Sequence, residues 1–308
     1  MMTEHLLTLK NLPGEEIAQI VDSAIDLKNR YKKGDRPELM KNKTLVMLFQ
    51  KTSTRTRTSF EAGVTQLGGH AIFLDWKTTQ FKMAAIEDEA RCIDRYADIV
   101  MARLMKHEDL QKMIKVMKQP VINGLCEKYH PCQILADLQT MKEHLGGLKG
   151  KKVVYLGIGN NVSNSLSVGC TKLGMKFVLC VPERHPTSED KELLTMVNKT
   201  GLYNEEKDPK KAVEGADILY TDSWVDMELF FDEKFKTEKE RRLKAFAPYQ
   251  LNKELMGVAN KALVMHDLPA HRGYEIDDYA MESDRSIMFD QAENRMHAQK
   301  AIMLHLLK

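Results

Sequence analysis

The chain has 308 residues, which is too long for most single cores and predicts two domains of about 150 residues each. Hydrophobic residues make up 43% of it, as in an ordinary folded protein. Because 46 basic and 44 acidic residues leave a net charge of only +2, the composition indicates neither a nucleic-acid nor a membrane partner. The five cysteines are scattered and odd in number, which favours reduced thiols in a cytoplasmic protein. We recognise no secretion signal and no bilayer-spanning apolar stretch.

Strands and helices are predicted to alternate along the chain. An amphipathic helix is predicted at 14–33, a second helix from about 57 to 67, ended by Gly68-Gly69, and a third at 84–97. A last helix begins near Gln291. Apolar runs predict strands at 44–49, 70–74, 97–103, 120–125, 153–156, 177–182 and 216–221. This alternation is typical of doubly wound parallel α/β sheets, and the glycine- and lysine-rich run 146–152 marks the boundary between two of them.

The stretch most specific for function is Ser53-Thr54-Arg55-Thr56-Arg57, which lies between a buried strand and a helix. Unpaired backbone N–H groups, the positive end of the helix dipole, hydroxyls and guanidinium groups together suit a dianionic phosphate. Two arginines at a helix N-terminus oppose the dipole, a cost that is explained if an anion lies between them. The alternative is a serine-capped helix with solvated arginines.

Other polar residues follow predicted strands. Arg103 ends the strand at 97–103, where ligands bind in open α/β sheets. His130-Pro131-Cys132-Gln133 follows the strand at 120–125, although a lone histidine is more often a packing or surface residue. Gly157-Ile158-Gly159-Asn160-Asn161 invites a dinucleotide interpretation, which we reject because Val162 stands where the third glycine belongs. The paired asparagines could also be plain turn residues.

Ser-Thr-Arg-Thr-Arg followed by Ser-Phe-Glu resembles the carbamoyl-phosphate site of the aspartate/ornithine carbamoyltransferase family. Further motifs along the chain resemble the same family in the same order, and the closest resemblance is to the ornithine-specific members. The resemblance implies two α/β domains joined by interdomain helices, with no metal and no organic cofactor. The carbamoyl-phosphate domain would be 1–145 plus 290–308, and the acceptor domain 146–289.

The resemblance also implies which residues hold carbamoyl phosphate: Ser53, Thr54, Arg55, Thr56, Gln80, Arg103, His130, Gln133 and Arg295. Arg103 and His130 would be catalytic, because they donate to the carbamoyl oxygen. Gln80 lies in a loop, 75–81, that in the family crosses to the neighbouring subunit, which implies a homotrimer or a multiple of trimers. The alternative is a loop packed on its own domain by Trp76 and Phe81.

For the acceptor, the resemblance implies the residues Asn161, Asp222, Asp226, Met227, Asp267 and Leu268, with Asp222 and Asp267 catalytic. Three positions depart from the family pattern: Asp226 replaces serine, Glu228 replaces glycine and Asp267 replaces cysteine. The bond from Leu268 to Pro269 is cis in relatives. Because carboxylates suit ammonium groups, we expect an amine acceptor, and ornithine is the family's default.

The extra carboxylates leave other acceptors open. Asp226 and Asp267 could favour putrescine, lysine or an N-acylated ornithine over ornithine itself. Asp267 could also take the proton from the attacking ammonium if burial raises its pKa. A non-catalytic relative that keeps the fold for assembly or sensing is a further alternative, but every expected carbamoyl-phosphate residue is present.

Overall fold

The chain folds into two units, each built on its own parallel sheet. In this computed structural model, which describes residues 4–227 and 229–308, the first unit contains the described residues up to Gln139 together with Glu293–Lys308. The second unit is Thr140–Ala292.

Strand β1 (Thr44–Phe49) is an inner strand of the first sheet, and all but its first residue are buried. It pairs in parallel with β2 (His70–Asp75) and β3 (Ile99–Arg103), and β3 pairs with β4 (Val121–Leu125). The order is therefore β2-β1-β3-β4. β1 and β3 are almost continuously apolar because helices cover both faces of such a sheet.

The helices of the first unit are α1 (Gly14–Lys32), α2 (Thr54–Gln66), α3 (Ile86–Ile93) and α4 (His107–Ile114). α5 (Pro131–Leu145) and α12 (Met288–Leu306) run from one unit into the other, which confirms the interdomain helices. α2 begins three residues earlier than predicted, because Ser53 caps it. α3 is shorter than predicted at both ends.

The second sheet has five strands in the order β7-β6-β5-β8-β9, and all pairs are parallel. Their bounds are β5 (Lys152–Gly159), β6 (Lys176–Arg184), β7 (Tyr203–Glu205), β8 (Ile218–Thr221) and β9 (Leu263–His266). The doubly wound α/β class is confirmed in both units. The sequence did not predict β7, which has three residues, or β9, which has four, because runs this short carry no periodicity.

The helices that lie wholly in the second unit are α6 (Asn161–Lys172), α7 (Lys191–Asn198), α8 (Pro209–Val213), α9 (Lys236–Phe246), α10 (Lys253–Val258) and α11 (Asp278–Met281). Within the described part of the chain, no helix is both long enough and apolar enough to cross a membrane.

An aspartate fixes the start of a central strand in each unit. Asp98, directly before β3, accepts hydrogen bonds of 2.8 Å from the backbone N–H of Thr44 and from the ammonium group of Lys43. Asp217, directly before β8, accepts a hydrogen bond of 2.8 Å from the backbone N–H of Lys152 and another of 3.2 Å from the ammonium group of Lys151. Burial would raise the pKa of Asp98, but the bonds from its two donors outweigh burial and lower the pKa.

We expect Asp98→Ala to lower the free energy of unfolding by about 1–3 kcal/mol, because the Thr44 N–H loses its charged acceptor. Asp98→Asn keeps an acceptor oxygen and should cost less. Since folding lowers this pKa, the stabilisation is present above the unfolded value of about 3.9 and is lost as the pH falls through the folded value. Urea unfolding followed by circular dichroism at about pH 7 and about pH 3 measures both effects.

The control for this prediction is Asp284→Ala, at an exposed aspartate of the second unit. If Asp98→Ala were no less stable than this control at neutral pH, the role given to Asp98 would be wrong.

Candidate active site

The turn between β1 and α2 presents the first group of predicted residues. Ser53 caps the helix, since its Oγ accepts a hydrogen bond of 3.3 Å from the backbone N–H of Thr56. Thr54 is exposed, Arg55 is half-buried and the Thr56 side chain is buried. The positive end of the dipole of α2 therefore lies at this end of the sheet, where an anion is favoured.

The two arginines of the motif have different surroundings. The Nε atom of Arg57 lies 2.9 Å from Oε1 of Glu61, one turn later in α2. Its guanidinium carbon lies 3.7 Å from the ring centre of Phe73 on β2. Arg57 is thus held on the outer side of the helix by a carboxylate and an aromatic face. The prediction that an anion lies between both arginines is wrong for Arg57.

Three other guanidinium groups act on one buried imidazole. His130 is only 3% exposed and lies directly before α5. Burial, followed by the charges of Arg295, Arg103 and Arg55, lowers the pKa of His130 well below its usual value. The ring is therefore neutral and can donate one N–H without adding charge. The first unit thus gathers three cations and one neutral donor from four separate elements.

Arg295 is fixed by two side chains that the sequence analysis also selected. Its guanidinium donates to Oε1 of Gln133 over 2.5 Å and to Oγ1 of Thr56 over 3.0 Å. The Gln133 amide in turn donates to Oδ1 of Asp137 over 2.8 Å. In this structure Gln133 orients Arg295. Asp137 was missed, although its position four residues after Gln133 on a helix is a usable signal.

Gln80 lies apart from this group in a short 3₁₀ turn, and its side chain is exposed. Among the described residues, no hydrogen bond joins the Gln80 side chain to the residues around His130. The rings of Trp76 and Phe81 on either side of it lie 5.5 Å apart, and Phe81 is buried. The loop is therefore anchored on its own unit while it presents Gln80 outward.

In the second unit, the turn between β5 and α6 centres on Asn160. Its Oδ1 accepts from the backbone N–H groups of Val162 and Ser163, and its Nδ2 donates to Oδ2 of Asp222 over 2.6 Å. The Tyr155 hydroxyl donates to the same Asn160 oxygen over 3.0 Å. Asn161, the predicted residue, accepts from the N–H of Val162. The structure thus connects Asn160 with Asp222, a link that the sequence analysis missed because both asparagines fit the motif.

Asp222 and Asp267 lie side by side after neighbouring strands. Thr221 of β8 is in register with His266 of β9, so the next residue on each strand is one of the two aspartates. Burial, followed by the charge of Asp267, raises the pKa of Asp222 well above its usual value. Burial and the same two carboxyl groups raise the pKa of the Tyr155 hydroxyl, which stays protonated.

Two influences on the buried His266 ring oppose each other. Burial lowers its pKa, but Asp267 and Glu275 outweigh burial and raise it to about 9. Against this, the backbone N–H of Leu268 donates to Nδ1 over 2.8 Å, and a protonated Nδ1 could not accept that bond. Because Nδ1 accepts this hydrogen bond, we infer that Nδ1 carries no proton. The ring proton then lies on Nε2, which is 3.2 Å from Oε1 of Glu275.

The remaining predicted acceptor residues lie around this pair. Leu268 has a φ of 56°, in the left-handed region, and precedes a cis bond to Pro269. Asp226 is exposed and Met227 is half-buried. Glu228 lies outside the described residues.

The two groups differ in what they can bind. Arginine side chains, a neutral imidazole and a helix N-terminus in the first unit suit a phosphate and a polarised carbonyl. Carboxyl groups and an amide in the second unit suit an ammonium group.

Two family models match consecutive parts of the chain. The aspartate/ornithine carbamoyltransferase carbamoyl-P binding domain matches residues 4–143, and the Asp/Orn binding domain of the same family matches residues 149–306.

Similar proteins match along 95% or more of their length. The ornithine carbamoyltransferase of Methanosarcina mazei is 43% identical, with 100% of both chains covered. That of Pyrococcus abyssi is 44% identical, with 98% of this chain and 95% of the relative covered. A solved ornithine carbamoyltransferase from Pyrococcus furiosus has a TM-score of 0.89 at 42% identity, with 97% of this chain and 96% of that chain covered. The resemblance seen in the motifs is confirmed, and the chain belongs to the aspartate/ornithine carbamoyltransferase family.

Proposed function

We propose that this protein is an ornithine carbamoyltransferase: it transfers the carbamoyl group of carbamoyl phosphate to the side-chain amine of L-ornithine and yields L-citrulline and phosphate. This is a step of arginine metabolism and amino-acid biosynthesis. The observation that carries the proposal is the neutral His130 among three guanidinium groups, in a chain whose full-length relatives are named ornithine carbamoyltransferase.

Carbamoyl phosphate binds to the first unit. The phosphate accepts hydrogen bonds from the first turn of α2 and from the arginines, which neutralise its charge. Arg103 and His130 donate to the carbamoyl oxygen, where negative charge develops in the transition state, and Thr56 assists them. The set of residues is Ser53, Thr54, Arg55, Thr56, Gln80, Arg103, His130, Gln133 and Arg295. Gln133 acts by holding Arg295 in place.

Ornithine binds to the second unit, where carboxylates receive its amino groups. Asn161, Asp222, Asp226, Met227, Asp267 and Leu268 form the acceptor set, and Asn160 joins it because it holds Asp222. The side-chain amine attacks the carbamoyl carbon after it has lost a proton. Phosphate then leaves while the arginines hold its charge. Holding both substrates in a reactive orientation supplies a large part of the acceleration.

The proposal extends to assembly and compartment. We propose a homotrimer, or a multiple of trimers, in which Gln80 reaches the site of a neighbouring subunit. The exposure of the Gln80 side chain supports this assembly. Two apolar side chains of the same unit, Met83 and Met105, are 75% and 58% exposed and support it as well.

We also propose a cytoplasmic location. It is supported by the five free cysteines, which are typical of a reducing compartment.

Arg55→Ala should lower kcat/KM for carbamoyl phosphate about 10- to 100-fold, because a charge-assisted hydrogen bond to the phosphate is lost. Arg57→Ala is a matched control two residues away, and it should leave this constant nearly unchanged since Arg57 bonds Glu61. Steady-state kinetics with ornithine at saturation measure both variants. Equal losses in the two variants, or none in either, would refute the assignment of Arg55.

A panel of amines tests the acceptor. With carbamoyl phosphate, we expect ureido product from ornithine and little from lysine, putrescine or N-acetylornithine. The colorimetric signal of the ureido group, corrected for spontaneous carbamoylation, measures each amine. The second candidate function is transfer to one of the other amines, which Asp226 and Asp267 motivate. If one of these amines is carbamoylated and ornithine is not, the second candidate function replaces our proposal. If no amine is carbamoylated, a non-catalytic role is favoured.

Mixed trimers test the role of Gln80. Gln80→Ala and Arg55→Ala should each reduce activity when present in every subunit. Co-expression of the two variants under separate tags should restore part of the activity, because some sites then combine an intact Arg55 with an intact Gln80 from the neighbour. If the mixed trimers show only the average of the activities of the two single variants, a shared site is contradicted. A monomer in light scattering would contradict the assembly as well.

A further inference from the structure

The loops that follow β8 and β9 in the second unit are joined at two points. The hydroxyl of Ser223 donates a hydrogen bond of 3.2 Å to the carbonyl oxygen of Pro269. Further along the loop after β8, the ring of Phe230 stacks on the imidazole of His271, with 3.7 Å between the ring centres and 15° between the ring planes. Both contacts are made to one short segment, 269–271, so the loop after β8 is fastened to this segment at two places.

The part of the loop between these two contacts carries Asp226 and Met227, which belong to the proposed acceptor set. The backbone N–H of Leu229 donates to the carbonyl oxygen of Asp226 over 2.9 Å, and Phe230 directly follows this turn. A displacement of the Phe230 ring therefore moves the turn and Asp226 with it. The acceptor residues at 267–268 directly precede the segment to which the loop is fastened. The stack thus links the two parts of the acceptor set.

Further contacts hold the Phe230 side chain, which is only 8% exposed. The ring of Tyr274 lies edge-on to it, with 5.3 Å between the ring centres. The ammonium group of Lys239, on α9, donates to the carbonyl oxygen of Phe230 over 2.8 Å and lies 4.8 Å from the centre of its ring. Phe231 also touches this ring, at 5.2 Å between centres, but its own side chain is 87% exposed. Of these two neighbouring phenylalanines, Phe230 is therefore the anchor of the loop.

The imidazole of His271 is held for its part by Glu275, which is fully buried. The backbone N–H of His271 donates to Oε1 of Glu275 over 2.5 Å, and Nδ1 of its ring lies 3.8 Å from Oε2. Oε1 of Glu275 also lies 3.2 Å from Nε2 of His266, the last residue of β9. The stacked imidazole is therefore connected through Glu275 to the end of β9, directly before Asp267.

Building on the proposed function, we propose that Phe230 and His271 are positioning residues of the acceptor site: their stack holds the loop after β8 against the loop after β9 and so sets how tightly the acceptor amine binds. Neither residue has to touch the substrate, because each acts through the acceptor residues of its own loop. Without the stack, the loop after β8 keeps its contact at Ser223 but loses the second one, and Asp226 can move away from Asp267. The effect is confined to the acceptor, since the stack and both loops lie in the second unit.

The stack should also respond to pH through His271. Burial lowers the pKa of His271, Glu275 acts against burial, and His266 and Lys239 lower the pKa further. The other ring that faces the imidazole, Tyr274, is uncharged near pH 7. Separation of the stack exposes the imidazole, and its pKa returns toward the ordinary value of about 6.5. Since the stacked state has the lower pKa, the stack is fully formed above about pH 6.5 and weakens as the pH falls through the lowered value.

The experiment compares Phe230→Ala with Phe231→Ala, a matched control at the next position, whose side chain is exposed. In Phe230→Ala we expect KM for ornithine to rise about 3- to 10-fold, because an aromatic stack is lost. The values of kcat and of KM for carbamoyl phosphate should stay close to those of the wild type, since only binding of the acceptor is weakened. Phe231→Ala should follow the wild type in all three constants. His271→Phe keeps an aromatic partner for Phe230 and should keep most of the affinity for ornithine.

A pH series gives the second readout, which a merely structural contact would not change. The ratio of kcat/KM for ornithine between the wild type and Phe230→Ala should fall as the pH is lowered below about 6.5, because only the wild type has a stack to lose. The ionisation of the amine cancels in this ratio. In His271→Phe, which has no titratable ring at this position, the corresponding ratio to Phe230→Ala should stay constant. If ornithine is not the acceptor, the amine that the panel identifies takes its place in the same comparison.

Hydrogen exchange of the backbone amides in the segment 223–235 tests the stack without catalysis. We expect faster exchange in Phe230→Ala and exchange like that of the wild type in Phe231→Ala. Unchanged exchange, or an unchanged KM for ornithine, in Phe230→Ala would overturn the proposal and leave the proposed function standing. If the wild type carbamoylates no amine, the proposed function is refuted, and the exchange of the two variants decides on the stack by itself.

Discussion

The nine strands in the described part of the chain all run parallel within their sheets, and this constraint places the candidate residues. The loops that follow parallel strands gather at one edge of each sheet. At that edge of the first sheet, β1 leads into the turn that Ser53 caps, and β3 ends at Arg103. At the corresponding edge of the second, β5 leads to Asn160, while Asp222 and Asp267 follow β8 and β9. Residues far apart in sequence thereby come close enough for their side chains to form hydrogen bonds, as Asn160 and Asp222 do.

The residues around His130 and those around Asp222 differ from ordinary surface charges, because groups of like charge lie close together in each set. Three guanidinium groups around a buried imidazole oppose protonation of that imidazole, and the charge of Asp267 opposes ionisation of the buried Asp222. Neither arrangement stabilises the fold by itself. Groups whose pKa values are shifted in this way are typical of functional sites. The Gln133 and Asp137 side chains hold Arg295 in its position close to His130.

The sequence predicted the elements that have strong local signals: the apolar strands β1 and β3, the turn between β1 and α2, and the arginine at the end of β3. It failed where the decisive interaction is tertiary. Nothing local distinguishes Arg55 from Arg57, because the partners that remove Arg57 from the site are Glu61 and a ring on another strand. The sequence motif likewise does not distinguish Asn160 from Asn161. Only the hydrogen bond from Asn160 to Asp222 does so. The short strands β7 and β9 depend on pairing with their neighbours.

The aspartates that precede β3 and β8 occupy equivalent places in the two sheets. The order β2-β1-β3-β4 corresponds to β6-β5-β8-β9, and each aspartate bonds the N–H at the start of the strand beside it. The chain is therefore one architectural plan used twice, once with guanidinium groups near the carboxyl ends of its strands and once with carboxyl groups there. Because the plan resides in the strands and their fixed starts, the loops after β5, β8 and β9 can vary in sequence while both sheets keep their strand order.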